Sequence, residues 1–410
     1  MNEPLFNSLL LPTIALGLPL GASMDAPRPV SAESQSSRKA VCAEVSIAIN
    51  GRSAAVHIRT QSAPSTGETR IELPLRAPRQ SVFFGFDAAL RRSVLDRAIP
   101  LESARARSIY TQEVGSGNAA AVAASEPSDS MIAQVQSPGR QDPTKVIFHF
   151  VSPVDPVQGL VLTPNSRSLR NCGVFVSASK YQVLPTVAVG GRRLEFKSGP
   201  SGWQARLKGD DLPLAGDISV TGGTLARQAW ISWSDIDDAG QMVNPTFFVA
   251  DNVLSGDLGA KPRPTVTAVT DGSGRRIAYR VVTAAGGRWS LVGPAPASNR
   301  VRVALSDGSS QTYTLDYDAF PNFGPGIFWA RPLVDDLMRS PARRAEGLDL
   351  ALRYRMLGPH MSYLLLQKLG QYRRAGLQPP PDVERDAERE NEVPSREPPK
   401  SPPVPKRPSS

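Results

Sequence analysis

The feature that most constrains the fold is a series of short alternating segments separated by turn residues. Val45–Ile49 alternates apolar and polar or small residues, Asn50-Gly51 follows, and Ala54–Thr60 alternates again. Asn-Gly is a strong hairpin signal, because both central positions of a type I′ turn need positive φ. Further strands are predicted at Ile71–Leu75, Ser81–Phe86, Ser130–Val135 and Lys145–Val151. With 33 glycines and 38 prolines, the chain is predicted to be mainly β, beginning with an antiparallel β-sandwich.

One helix interrupts these strands. Ile99–Val114 has helical spacing of its small and apolar residues, with Ala106 and Tyr110 on the same face as Val114. Gly115 and the nearby Gly117 end the helix, and a loop rich in serine and alanine follows. The first domain is therefore predicted to contain a single short helix.

The order of these elements resembles the vault protein inter-alpha-trypsin (VIT) domain family over residues 41–155. The opening hairpin, the Glu72-x-Pro74-Leu75 strand and the strand ending Phe84-Gly85-Phe86 contribute to the likeness. The most specific part is the helical pattern A-x-x-x-Y-x-x-x-V-x-x-G, which begins at Ala106. The segment 119–125 departs from the family, since it is richer in alanine and serine. The resemblance implies a VIT-like β-sandwich.

A second β-rich region, residues 156–325, resembles the β segment that follows the VIT domain in bacterial members. It contains short alternating segments and Gly-Gly turns. The predicted strands are Val174–Ser177, Thr186–Val189, Arg193–Phe196, Trp203–Leu207, Ile218–Val220 and Gln228–Trp233. We interpret the region as accessory β units.

Bacterial members commonly continue with a von Willebrand A domain, which carries an Asp-x-Ser-x-Ser metal motif. Asp271-Gly-Ser-Gly-Arg275 and Asp307-Gly-Ser-Ser-Gln311 both lack the second serine. Alternating segments flank both, so we predict two Asp-Gly hairpin turns: Thr265–Thr270 with Arg276–Val282, and Val301–Leu305 with Thr312–Leu315. About 75 residues separate Asp251 from Gly326, too few for an A domain of about 150 residues. The A domain is predicted to be absent.

The segment 326–376 is predicted to be helical, with helices at Phe328–Met338 and Ala345–Lys368. The fragments L-x-x-R-Y and P-x-x-S-Y-L within Asp349–Leu366 resemble the region that follows the A domain in the family. Both flanks of the missing domain are thus recognisable, and we infer a family member that lost, or never had, its A domain.

Both ends of the chain are predicted to lie outside the folded units. Residues 1–23 resemble the apolar core and cleavage region of a signal peptide, although Met-Asn-Glu-Pro lacks the usual basic residues. Pro12 and Pro19 argue against a spanning helix, and no other stretch reaches the roughly 18 apolar residues that one needs. A polar linker, residues 24–40, follows. Residues 377–410 form a Pro-rich charged tail that is predicted to be disordered.

The predicted location is periplasmic or secreted, with no integral membrane span after signal removal. A cytosolic location stays open if the N-terminus is not a cleaved signal. The chain has only two cysteines, Cys42 and Cys172, which excludes a disulfide-dense scaffold and a cysteine-rich zinc site. They could form one bridge after export or remain separate buried thiols. The net charge is +9, but the basic residues are spread along the chain, so nucleic acid is not expected to be a partner.

We predict no catalytic, cofactor-binding or metal-binding residues. His57 and His149 lie in alternating segments, His360 follows a Gly-Pro break, and none has an H-x-x-x-H partner. No G-x-S-x-G elbow supplies a nucleophile. The acidic cluster Asp235–Gly240 matches calcium loops poorly, since it has no glutamate at the twelfth position, so we interpret it as a solvated turn. The Gly-Gly pairs at 190, 222 and 286 do not extend to phosphate loops and are interpreted as hairpin turns.

The sequence therefore predicts a non-enzymatic interaction or scaffold protein of the envelope, or a secreted one, with protein partners and no cofactor. Its oligomeric state cannot be inferred from sequence. The alternatives are a hydrolase-like enzyme whose site is assembled from distant loops, with His57 or His149 as base, and a cytosolic regulatory protein. The enzyme hypothesis requires a deep pocket that joins one of these histidines to a carboxylate.

Overall fold

The structure is a computed structural model that describes residues 42–61, 68–78, 80–91, 94–125, 130–137, 144–155, 158–165, 170–199, 202–208, 216–226, 228–236, 242–252, 264–285, 288–317, 323–380 and 383–385. The described chain is mainly β, with one short helix early and a helical segment near its C-terminal end. The predicted fold class is confirmed.

The described residues of the first part of the chain form ten strands and one helix. They are β1 Cys42–Asn50, β2 Ser53–Gln61, β3 Thr69–Glu72, β4 Leu75–Arg76, β5 Val82–Arg91, β6 Val94–Arg97, β7 Ile99–Glu102, α1 Ser103–Gly115, β8 Ala120–Ser125, β9 Met131–Gln136 and β10 Lys145–Pro153.

In the middle part, the residues that the structure describes form eleven strands. They are β11 Leu160–Pro164, β12 Arg170–Ser179, β13 Tyr181–Val183, β14 Thr186–Val189, β15 Arg192–Leu194, β16 Lys197–Gly199, β17 Gly202–Lys208, β18 Ile218–Thr221, β19 Thr224–Leu225, β20 Ala229–Ile236 and β21 Met242–Asn252.

The last part contains strands and most of the helices. They are β22 Val266–Asp271, β23 Arg280–Ala285, β24 Arg288–Pro294, β25 Arg300–Leu305, β26 Ser310–Thr314, β27 Asp316–Tyr317, α2 Phe323–Arg339, a 3₁₀ turn Pro341–Arg343, α3 Arg344–Arg353, β28 Met361–Leu366 and α4 Leu369–Arg374. None of the helices among these described residues is long and apolar enough to cross a membrane.

The largest sheet, called the main sheet below, has eight strands in the order β16-β17-β12-β1-β2-β10-β5-β6. β1 pairs antiparallel with β2 and parallel with β12. Alternate residues along β1 are buried, from Ala43 to Ile49. The main sheet therefore has an inner face, which packs on the core, and an outer face that carries the intervening side chains. Because β12 lies beyond residue 155, the main sheet joins strands from both sides of that predicted domain boundary.

A second sheet, the closing sheet, has the order β3-β9-β8-β28-β7. Its strand β28 lies between β7 and β8, although more than two hundred residues of sequence separate β28 from them. All six residues of β28 are buried. The closing sheet is therefore completed by a strand from the far end of the chain.

The remaining strands form smaller sheets. Their orders are β15-β14-β18-β11-β4, β23-β24-β21-β20-β27, β22-β25-β26 and the pair β13-β19. One hydrophobic core joins the inner face of the main sheet to the closing sheet and to α2, a second lies between the closing sheet and α1, and a third joins β20, β21, β24, β25 and β26. Burial of these apolar faces supplies the main driving force for the arrangement.

Three secondary-structure predictions are wrong in the segments that form β7, β8 and β28. The predicted helix Ile99–Val114 begins only at Ser103, and Ile99–Glu102 is strand β7. The predicted loop after the helix contains strand β8, and the predicted helix Ala345–Lys368 ends at Arg353 before β28 begins. All three segments pair with one another in the closing sheet, and such long-range pairing overrides local helical periodicity.

The predicted hairpin of β1 and β2 is confirmed, but its turn is displaced by one residue. Asn50 pairs with Ser53, so the two loop residues are Gly51 and Arg52. Of these two residues only Gly51 has positive φ, at 61°. This is the pattern of a type II′ turn, whereas a type I′ turn needs positive φ at both positions. The register follows from burial, because Ile47 and Ile49 must both point to the inner face.

The two predicted Asp-Gly hairpins have different outcomes. The turn at Asp307 joins the antiparallel pair β25 and β26, as predicted. At Asp271 the turn forms, but the hairpin is limited to one bridge, between Thr270 and Arg276. The chain then leaves for β23, which pairs with β24, while β22 pairs with β25. Ile277 and Tyr279 pack on the third core, which draws the chain away from β22.

Candidate functional site

Two histidines that are 92 residues apart in sequence meet on the outer face of the main sheet. His57 of β2 and His149 of β10 are direct cross-strand partners. Residues on either side of each histidine point to the inner face, since side chains alternate along a strand. Cross-strand partners have Cβ atoms about 5 Å apart, which brings the imidazoles into contact.

A carboxylate completes this group, which we call the His cluster: His57, His149 and Asp87. Nδ1 of His57 lies 2.5 Å from Nδ1 of His149, and Nε2 of His149 lies 2.9 Å from Oδ2 of Asp87. An ionised Asp87 only accepts hydrogen bonds, so Nε2 of His149 donates to it. In neutral His149, Nδ1 then accepts from His57; in its protonated form, His149 donates in both directions.

Residues around the His cluster hold the rings in place. The ring of Phe84 lies 6.1 Å from that of His57 and 6.0 Å from that of His149. A Cβ on Gly85 would lie 3.0 Å from Cδ2 of His149, so glycine leaves room for the imidazole. On β6, Nε of Arg97 is 3.7 Å from Oδ1 of Asp87. His149 is buried and His57 partly so, which makes the cluster a packed feature of the sheet face.

The surroundings of His57 favour its neutral form. Burial, followed by the nearby charge of His149, lowers the pKa of His57 from 6.5 to about 4, while the Asp87 carboxylate acts in the opposite direction. His57 is therefore a neutral, weak base at pH 7. The chain Asp87–His149–His57 can hold or relay a proton.

The hydrolase hypothesis needs a nucleophile hydrogen-bonded to His57. The register places Ser46 of β1 directly opposite His57. Among the contacts of the described residues, no hydrogen bond joins their side chains. The enzyme hypothesis also needs a carboxylate beside one of the histidines, and Asp87 occupies that position. The residue itself was not identified from the sequence. Period-two alternation in Gly85-Phe86-Asp87 was the available signal, but only the pairing of β5 with β10 brings Asp87 to His149.

The other candidates from the sequence do not join this site. His360 is exposed, with φ of 60°. Asp235, in the predicted acidic turn, is the penultimate residue of β20, and residues 237–241 of that turn lie outside the described residues. The predicted Gly-Gly turn at 286 and 287 lies outside them as well. Within the described ranges, no group of three or more His, Cys, Asp or Glu side chains is arranged to hold a metal ion. Gly190-Gly191 forms the predicted hairpin turn, whereas Gly222-Gly223 joins strands of different sheets.

The backbones of the two cysteines lie on neighbouring strands, β1 and β12. Cys42 is opposite Arg170, and Cys172 falls at an irregularity in the pairing. Their side chains are outside the described part of the structure. The question whether they pair stays open.

Asp271 closes its own turn. Its Oδ1 accepts hydrogen bonds from the backbone N–H of Ser273 at 2.9 Å, the hydroxyl of Ser273 at 2.6 Å and the backbone N–H of Arg275 at 2.9 Å. These bonds, the one from the Ser273 hydroxyl above all, lower the pKa of Asp271. In the other turn, Ser309 donates to Asp307 in the same way. Both carboxylates are engaged in turn formation.

A second polar group, which sequence reasoning missed, joins α1 to α4. We call it the Glu113 cluster: Glu113, Asn118, Gln371 and Arg374. Oε2 of Glu113 accepts from Asn118 at 2.7 Å, from Gln371 at 3.0 Å and from Arg374 at 3.0 Å. The Glu113 side chain is 5 % exposed. A buried carboxylate with three donors fixes the C-terminal helix against α1.

Comparison of the sequence with known protein families gives no match, and comparison with curated proteins gives none either.

Proposed function

We propose that the chain is a non-enzymatic interaction or scaffold protein of the VIT family that works in the bacterial envelope or outside the cell. The order of elements supports this proposal: an opening hairpin, the Glu72-x-Pro74-Leu75 segment, an aromatic strand, a short helix and then the strands β9 and β10. The elements pack as sheets around a common core. Interaction domains often use such a rigid β framework to position their contact surfaces.

The observation that carries the proposal is the position of β28. The fragment Pro359-x-x-Ser362-Tyr363-Leu364, which resembles the family's segment after the A domain, contributes to this strand. The two sequence flanks of the missing domain thus contribute to one closing sheet. A framework tied together at both ends suits a protein that holds its accessory β units in fixed positions for a partner.

The His cluster supports a non-enzymatic role better than a catalytic one. A general base is most effective when its pKa lies near the working pH. His57 has a pKa of about 4, and its Nδ1 is bonded to another histidine. His149 is packed between Gly85 and Asp87. These are the features of a structural polar network on a sheet face.

Location and partnership can be tested in one experiment. Full-length protein would be expressed in its native bacterium with a photo-crosslinking residue at exposed positions on three elements: Arg59 on β2, Arg107 on α1 and Ser309 in the β25–β26 turn. We expect the protein in the periplasmic or secreted fraction, with an N-terminus near residue 24, and a discrete adduct from one position only. An intact N-terminus in the cytosolic fraction would instead support the cytosolic regulator.

Catalysis is tested with purified protein. Wild type and His57→Gln would be compared on panels of ester, amide and phosphoester substrates. We expect no turnover that depends on His57. An activity that the wild type shows and His57→Gln loses, with unchanged folding by circular dichroism, would establish the enzyme alternative and contradict the proposal.

A further inference from the structure

A small pocket lies where three parts of the molecule meet, away from the His cluster. The β1–β2 turn contributes Arg52 to it, β24 contributes Ser290, and the first turn of α2 contributes Pro325. The space in it that a water-sized molecule can occupy has a volume of about 20 Å³, somewhat more than one water molecule needs. The pocket can therefore admit the head group of a ligand.

Arg52 is the unusual residue of this pocket. It is only 7 % exposed, and among the described residues its guanidinium has no hydrogen bond or salt bridge. Ser290 is 3 % exposed, and its hydroxyl likewise has no partner in the described ranges. Asn50 also lines the pocket, and its buried Oδ1 has no hydrogen bond within the described part of the chain. A charge that is largely shielded from water and has no partner is costly, so such a group usually meets a counter-ion.

The charge balance of the pocket favours an anion. None of the described residues that line it is acidic. The N-terminal end of α2, a helix of 17 residues, adds the positive end of a helix dipole at Pro325. The planar fork of a guanidinium matches the two oxygens of a carboxylate. Most of the wall is apolar, formed by Val249, Leu291, Val292 and Phe328 among others.

We propose that Arg52 binds the carboxylate head of a small monocarboxylic acid, with Ser290 donating a second hydrogen bond. A monoanion is favoured over phosphate, because a single guanidinium balances one negative charge. The apolar wall would leave the second charge of a phosphate dianion without a partner. The same wall accepts the short alkyl group of such an acid. The assignment stands apart from the VIT resemblance and does not depend on it.

The probe is sodium acetate, titrated into the full-length protein and followed by calorimetry and by thermal unfolding. We expect saturable binding at one site, with dissociation constants in the range of roughly 1–10 mM for such a small ligand. Arg52→Gln should weaken binding by about 10- to 100-fold, since a hydrogen bond to a charged group is lost. Ser290→Ala should weaken it less, by roughly 3- to 10-fold. Arg59→Gln is the matched control, because Arg59 lies on the same hairpin and is exposed, and it should bind as the wild type does.

Arg52→Gln removes an unpaired charge, so we expect its melting temperature without acetate to equal or exceed that of the wild type. If it failed to fold, Ser290→Ala would decide the question, since it keeps the charge. Absence of saturable acetate binding to the wild type would overturn the assignment. Unchanged affinity in both pocket variants would do so as well, and inorganic phosphate binding in place of acetate would overturn the choice of ligand.

Discussion

Glu113 is a buried carboxylate and Asp87 a largely buried one, but the clusters around them differ in how completely their hydrogen-bonding capacity is satisfied. Glu113 accepts hydrogen bonds from three residues, and its side chain is 5 % exposed. Among the described residues, Asp87 has one close bond, to His149, and its Oδ1 has no hydrogen bond. Its side chain is 13 % exposed, and Arg97 is 3.7 Å away. A saturated carboxylate acts as a fixed anchor, whereas a partly satisfied one leaves its neighbours free to titrate.

The two clusters also connect residues at different separations in the sequence. The His cluster joins neighbouring strands of one sheet. The Glu113 cluster joins α1 to residues about 260 positions later, beside the strand β28 that completes the closing sheet. We infer that the Glu113 cluster mainly stabilises the fold, and that the His cluster mainly makes stability depend on pH.

The largest effect is expected for Glu113→Ala. This change leaves the half-buried amide of Asn118 without its acceptor and takes from the buried amide of Gln371 one of its two acceptors, the other being the carbonyl of Ala119. It also removes the partner of Arg374. Loss of one side of such a network should lower the free energy of unfolding by about 3 kcal/mol. Urea unfolding followed by circular dichroism measures it, and limited proteolysis should release the segment that contains α4.

Arg374→Ala is the matched control for this prediction. Arg374 donates to the same carboxylate, but its side chain is 58 % exposed, so water can replace it. We expect a loss of no more than about 1 kcal/mol. Equal losses for the two variants would mean that the ion pair, and not the buried amide network, stabilises the joint between α1 and α4.

The next effect is a loss of stability between pH 7 and pH 5 that depends on His57. The pKa of His57 is about 4 in the folded chain and 6.5 ordinarily, so the unfolded chain binds this proton more readily. The stabilising contribution is therefore complete above pH 6.5 and is lost as the pH falls towards 4. At pH 5 the loss should be about 2 kcal/mol. Urea unfolding at both pH values measures it.

His57→Gln removes the titrating group and should remove most of this pH dependence. His360→Gln is the matched control, since His360 is exposed and lies outside the His cluster. It should behave as the wild type does. A wild type whose stability rises as the pH falls from 7 to 5 would contradict the lowered pKa of His57.

Local elements of the fold could be predicted from sequence, because their signals are local. The β1–β2 hairpin and the β25–β26 hairpin combine alternation with glycine in the turn. In contrast, Ile99–Glu102, Ala120–Ser125 and Met361–Leu366 become strands by pairing with one another. Their own residues, rich in alanine and leucine, equally suit helices. No local pattern reports a partner that lies more than two hundred residues away.

The same limit applies to the candidate site. His57 and His149 were recognisable as residues on alternating strands, but their contact depends on the pairing of β2 with β10. Asp87 was not recognised, since a single aspartate in an aromatic strand has no motif around it. Arg52 was hidden for a similar reason: its burial depends on α2 and β24, which come more than 230 residues later. Sequence patterns identify faces of strands, whereas sites need the neighbouring elements.

The smallest effect on stability is expected for Asp87→Asn. This variant tests whether the charge of the carboxylate influences the pKa of His57. Burial and then the charge of His149 lower the pKa of His57, and the charge of Asp87 partly opposes them. Asparagine keeps an oxygen that accepts from Nε2 of His149 but removes the charge. The pKa of His57 should therefore fall further, while stability at pH 7 changes by less than about 1 kcal/mol, since Arg97 is largely exposed. A titration of the imidazole signals by NMR measures the shift.

Arg97→Gln is the matched control, because loss of its positive charge should raise the pKa of His57. Shifts of the same sign in the two variants would show that packing, and not charge, sets the protonation of the His cluster.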